Sequence, residues 1–133
     1  MNPLLAPFIK MLEGNGLLTF DVDGDTQKHF ENRLKLQKCV YLAKFFGLDM
    51  GYTHSIYRYG PYSPLLAEDY YALGQNRTLY NEMATARLPA FNLRGFLNLV
   101  DGKDPKWLEI ATTLLDVRSR IPNEKALINH INN

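Results

Sequence analysis

Tyr57-Arg58-Tyr59-Gly60-Pro61-Tyr62-Ser63-Pro64, read together with the apolar run from Arg33 to Phe46 before it, decides how this chain folds. Gly60 precedes a proline, a position biased away from the right-handed helical region, and glycine adds conformational freedom that no other residue has, so the chain can change direction there. Pro61 lacks an N–H, and the strand-like run before it is expected to stop. Ser63 followed by Pro64 signals a helix start: the serine oxygen can accept from an orphan N–H, and proline at the first helical position loses nothing. The helix that begins at Pro64 places Leu66, Tyr70 and Leu73 on one face, with Gly74 as its stop. An extended arm therefore becomes a helix within a few residues, and Tyr57, Arg58, Tyr59 and Tyr62 are presented at the join.

Upstream, Leu34, Leu36, Cys39, Val40, Tyr41, Leu42, Ala43, Phe45 and Phe46 take up most of the circumference of a helix. A helix apolar nearly all round must be covered on several sides, so this one, starting near Thr26 or restarting near Asn32 and ending at Gly47, is predicted to be central. Arg33, Lys35, Lys38 and Lys44 make it the most basic run of the chain, and Gln37 interrupts its apolar surface. From Gly51 to Tyr59, β-branched and aromatic residues suggest one strand or extended arm, for which Leu17 to Val22 is the obvious partner.

Further helices are expected over Pro3 to Glu13, Thr78 to Arg87 and Asn92 to Val100. Another starts at Asp104-Pro105, with Leu108, Ala111, Leu114, Leu115 and Val117 as its apolar side, and a last one starts at Pro122 and runs through Leu127, Ile128 and Ile131. The expected fold is mainly α, a single compact helical domain over residues 1–133 with about six or seven helices and a short extended arm or two-stranded ribbon.

Fifteen basic residues against 14 acidic ones leave no global field of the kind that drives nonspecific binding to phosphate backbones. Cys39, the single cysteine, cannot form an internal disulfide and reads as a small buried hydrophobe, which suits a reducing cytoplasm. The N-terminal apolar run is broken by Pro7 and has no basic region before it, which argues against a signal peptide. No apolar stretch approaches the roughly 20 residues that span a bilayer, so a soluble protein is expected.

Chemical motifs are sparse. Asp21, Asp23 and Asp25 imitate the opening of a calcium loop, but Thr26 and Asn32 stand where that loop needs glycine and an acidic ligand, so turn formation and capping explain them. His29, His54 and His130 lack metal-ligand spacing, and Gly14-Asn15-Gly16 lacks the Gly-Lys-Ser/Thr ending of a phosphate loop. Catalytic residues, metals and cofactors are therefore not implied. Arg58 between Tyr57 and Tyr59 has two readings. Tyrosine and arginine together resemble a protein-binding hot spot; alternatively the rings bury against the central helix and Arg58 pairs with Glu68 or Asp69. The run Arg33, Lys35, Lys38 reads as a solvated, salt-bridged face or as a phosphate-contacting one.

Arg33-Leu-Lys-Leu-Gln-Lys-Cys-Val-Tyr-Leu-Ala43 followed by Tyr57-Arg-Tyr-Gly-Pro-Tyr-Ser-Pro-Leu-Leu-Ala-Glu-Asp69 resembles the bacterial and archaeal YwgA-like proteins, which are similar to the wider Panacea, or SocA-like, antitoxin domain. The resemblance covers about Arg33 to Leu73 and, more loosely, Trp107 to Leu115. It implies a small helical cytoplasmic domain without known catalysis, whose relatives neutralise toxins by direct binding or act as proteolytic adaptors. Leu36, Gln37, Lys38, Tyr41, Tyr59, Gly60 and Pro61 are the matching motif positions. Tyr62 departs from the apolar residue that usually follows Gly-Pro in the wider group.

Two functions fit the residues. One is a protein-binding regulator whose candidate contacts are Arg33, Gln37, Lys38, Tyr57, Arg58, Tyr59 and Tyr62, with a toxin or regulatory target as partner and self-association left open. The other is a nucleic-acid-associated regulator with a winged-helix-like unit, in which Arg33, Lys35, Lys38 and Arg58 meet phosphates.

Overall fold

The computed structural model describes residues 1–121. In chain order its elements are α1 (Leu5–Gly14), α2 (Gln27–Ala43) continued by a 3-10 turn (Lys44–Phe46), β1 (Ser55–Tyr57), β2 (Gly60–Tyr62), α3 (Pro64–Gln75), α4 (Arg77–Met83), α5 (Leu93–Val100) and α6 (Pro105–Arg120). The expected helix from Pro122 lies outside the described residues. The rest is the mainly helical fold with a small ribbon that the sequence predicts.

α2 is central because its sequence leaves it no choice. Thr26 caps it by accepting from the His29 N–H, Gly47 ends it at a φ of 94°, and every residue from Leu36 to Ala43 is buried. It packs against α3, α5, α6 and β2, as a helix apolar nearly all round must. One hydrophobic cluster joins Leu5, Phe8 and Leu12 of α1 to Leu36 and Leu42 of α2, Leu66 and Tyr70 of α3 and Phe96 of α5. The two predicted proline-first starts form as expected: Ser63 accepts from the Leu66 N–H at 3.2 Å and Asp104 from the Trp107 N–H at 2.8 Å. Each cap is worth about 1 kcal/mol.

The ribbon differs from expectation in its pairing. β1 pairs antiparallel with β2, in the register Ser55↔Tyr62, Ile56↔Pro61 and Tyr57↔Gly60, and not with Leu17 to Val22. Pro61 thus sits inside the ladder instead of ending it. Antiparallel pairs alternate between hydrogen-bonded and non-hydrogen-bonded types, and a residue without an N–H can occupy the second type. Arg58 and Tyr59 turn with negative φ, and the left-handed torsion that closes so tight a hairpin falls on Gly60 at 89°.

Residues 17–23 show strand-like alternation, with Leu18, Phe20 and Val22 buried and the residues between them exposed, yet they pair with no strand among the described residues. Side chains take the place of a ladder. Lys35 donates to the Leu17 carbonyl, Arg77 to Phe20, Asn32 to Asp21, and Arg33 to both Val22 and Gly24. Backbone acceptors outside any ladder still need partners, and here long polar side chains supply them.

α6 faces inward differently from the expected apolar side. Leu108, Thr112 and Asp116 are its buried residues, whereas Leu114 and Val117 are 65% and 46% exposed. Thr112 can turn inward because its hydroxyl donates to the Leu108 carbonyl within its own helix at 2.7 Å, and Asp116 because Arg120 and the Tyr41 hydroxyl donate to it.

Candidate functional site

Gln37 and Lys38, adjacent on the buried helix, hold the hairpin to α2. The Gln37 side-chain amide donates to the Ser63 carbonyl and accepts from the Ser63 N–H, both at 2.9 Å. It thereby serves the backbone as a strand partner would, at the point where β2 hands over to α3. The Lys38 ammonium, 1% exposed, donates to the Pro61 carbonyl at 2.7 Å. Burial pulls its pKa down to about 8, with Glu109 opposing.

Gly60 completes the junction. A Cβ there would lie 2.6 Å from Thr113 Oγ1 and 3.4 Å from the Glu109 carbonyl oxygen, so α6 approaches the hairpin as closely as it does only because no side chain intervenes. Gln37 and Lys38 of the helix motif therefore meet Ser63 and Pro61 of the hairpin motif in space.

Beside this clasp opens a cavity of about 250 Å³. Phe30, Arg33, Leu34, Gln37 and Lys38 of α2 form one side, the hairpin residues Tyr57 to Gly60 and Tyr62 another, and Tyr70 and Tyr71 of α3 the third. All seven residues singled out from the sequence, Arg33, Gln37, Lys38, Tyr57, Arg58, Tyr59 and Tyr62, line it. The rings brace one another edge to face: Phe30 on Tyr59 at 5.1 Å between centroids, Tyr57 on Tyr62 at 5.2 Å. Burial first, then Tyr71 and Tyr57, push the Tyr62 phenol above its ordinary value.

The reading in which the tyrosine rings bury against the central helix holds only in part. Tyr62 is half-buried, but Tyr57 and Tyr59 are 53% and 39% exposed, so their rings stand at the mouth of the cavity instead of packing flat on the central helix. Nor does Arg58 pair with Glu68 or Asp69. Its guanidinium lies 5.6 Å over the Tyr59 ring, and Asp69 accepts from the Tyr52 hydroxyl at 2.6 Å.

The basic run is not an open solvated face: Arg33 and Lys35 are half-buried and Lys38 is buried. Arg33 and Lys35 are spent on carbonyls of the 17–24 segment and Lys38 on Pro61. The reason is that α2 is surrounded, so its polar side chains end on the irregular backbone wrapped round it.

Phe30, Tyr70 and Tyr71 were not among the sequence candidates. Phe30 had a readable signal, since Phe30, Arg33, Leu34 and Gln37 follow the i, i+3, i+4, i+7 rule for one helix face.

Elsewhere the described residues show little chemistry. No group of three or more His, Cys, Asp or Glu side chains converges among them, and none of their helices is long and apolar enough to cross a membrane. Burial pushes the Cys39 thiol up to about 12, the setting of an inert cysteine. His54 stacks edge to face on Tyr41 with both ring nitrogens buried; burial, then Lys44, pull its pKa down to about 4, with the Tyr52 backbone opposing. Compared with family models, with curated proteins and with solved structures, the chain matches none.

Proposed function

We propose that this chain is a non-enzymatic protein-binding regulator that grips its partner at the tyrosine-rimmed cavity between α2, the hairpin and α3. The observation that carries this is the cavity's lining, which combines six aromatic rings with three cationic side chains and, among the described residues, includes no carboxylate, histidine, serine or cysteine. Such a lining offers contact area and directional donors, the composition of an interface hot spot, and offers no nucleophile paired with a base. The YwgA-like and Panacea-like resemblance of the clasp residues supports the same reading and suggests an antitoxin or adaptor role.

The nucleic-acid reading keeps only Arg58 of its four phosphate contacts, because Arg33, Lys35 and Lys38 already donate to carbonyls. Affinity purification from source cells with the wild-type chain and with Arg58→Ala tests the proposal. The specific partner should be a protein, should be lost with the variant, and should stay bound as salt rises from about 50 to 200 mM, where phosphate contacts weaken steeply. Retention of every partner by Arg58→Ala would overturn it.

A further inference from the structure

Which part of a partner the cavity takes follows from three features of the lining. The first is size: about 250 Å³ lies below the roughly 300–1,000 Å³ of sites that enclose cofactors and drug-sized ligands, and suits one large side chain. The second is shape, since ring edges and faces from three elements converge on it. An aromatic group entering there meets other rings in the tilted geometries that such pairs prefer.

The third is charge. Ring-walled cavities often accept cations, but this one carries Arg33, Lys38 and Arg58 and, among the described residues, no acidic one. Arg33 and Lys38 have carbonyl partners, whereas Arg58, exposed on the turn, forms no hydrogen bond or ion pair among the described residues. A guanidinium so placed has its donors free to receive a carboxylate bidentately at the cavity mouth.

We propose that the cavity takes a single aromatic side chain of the partner, with an Asp or Glu within two residues of it seated on the Arg58 guanidinium. This rests on the preceding reading that the cavity is where the partner is gripped.

The test is selection of a random peptide library on the whole chain, followed by fluorescence anisotropy of a selected peptide and its variants. Enriched peptides should carry Phe, Tyr or Trp next to or one residue away from Asp or Glu. Changing that acid to its amide should weaken binding to wild type about tenfold, and should have no effect on binding to Arg58→Gln. Arg58→Glu should prefer the amide peptide over the acid. Arg58 and Tyr57 are both exposed at the rim and lie outside the hydrophobic core, so these variants and Tyr57→Ala should fold, as circular dichroism will verify.

Peptides that need Tyr57 and Arg58 yet carry no aromatic-acid pair would overturn this occupant and leave the cavity as the gripping site. Peptides indifferent to Tyr57 and Arg58, or no enrichment at all, would overturn both.

Discussion

Lys38→Met takes a positive charge out of the interior while keeping a side chain of similar length. In the native chain the ammonium is 1% exposed, donates to Pro61 at 2.7 Å and forms no ion pair among the described residues. Its pKa falls from 10.5 to about 8. At 1.36 kcal/mol per unit, the buried charge is disfavoured by about 3 kcal/mol. Methionine removes that penalty but leaves the Pro61 oxygen without its donor, at a cost of about 1–3 kcal/mol. At pH 7 the variant should therefore lie within about 1–2 kcal/mol of wild type, whereas breaking a buried ion pair costs about 3–5 kcal/mol.

The pH dependence separates the two terms. A lowered folded-state pKa means the unfolded chain holds more protons between about pH 8 and 10.5, so this group's contribution to wild-type stability rises across that window. The raised phenols of Tyr41, Tyr52, Tyr70 and Tyr80 act in the opposite sense at still higher pH, but they do so in both proteins and cancel in the difference. Urea unfolding of both proteins from pH 7 to 10 should move the difference toward wild type by about 2 kcal/mol. A difference independent of pH, or a loss above about 4 kcal/mol at pH 7, would refute the picture of Lys38 as a desolvated charge serving one carbonyl.

Three other perturbations follow from the same geometry. Gly60→Ala should cost about 2 kcal/mol or more, from the positive φ and the 2.6 Å approach to Thr113; adding Thr113→Ala should return only the steric share, read from thermal midpoints. Gln37→Leu strands both backbone groups of Ser63 and should cost about 2–4 kcal/mol in urea unfolding. The depressed pKa of His54 gives a contribution that is complete above pH 6.5 and lost as pH falls toward about 4. Because the ring is only partly buried, about 1 kcal/mol of acid sensitivity is expected, and His54→Leu should remove it in denaturation curves at pH 7 and 5.

Helix starts were legible because they depend on neighbours in sequence: Ser63-Pro64 and Asp104-Pro105 need no tertiary information to cap. The central place of α2 was legible from its all-round apolar surface. What sequence could not supply is where long side chains end, since the acceptors of Arg33, Lys35 and Lys38 lie 9 to 23 residues away. For α6, apolar residues occupy more than one face, and periodicity cannot tell which of them turns inward when Thr112 and Asp116 can satisfy their own polar atoms. The hairpin was hidden by Pro61, whose missing donor argues against a strand unless the register is known.

The measurement closest to the central claim is site-specific photo-crosslinking in cells, with p-benzoylphenylalanine at Tyr57 and, as a control, at Lys10, an exposed position on α1 outside the cavity lining. A cavity that grips a protein predicts a discrete protein adduct from position 57, abolished by Arg58→Glu, and none from position 10. Equal adducts from both positions, or adducts from 57 to nucleic acid alone, would contradict it.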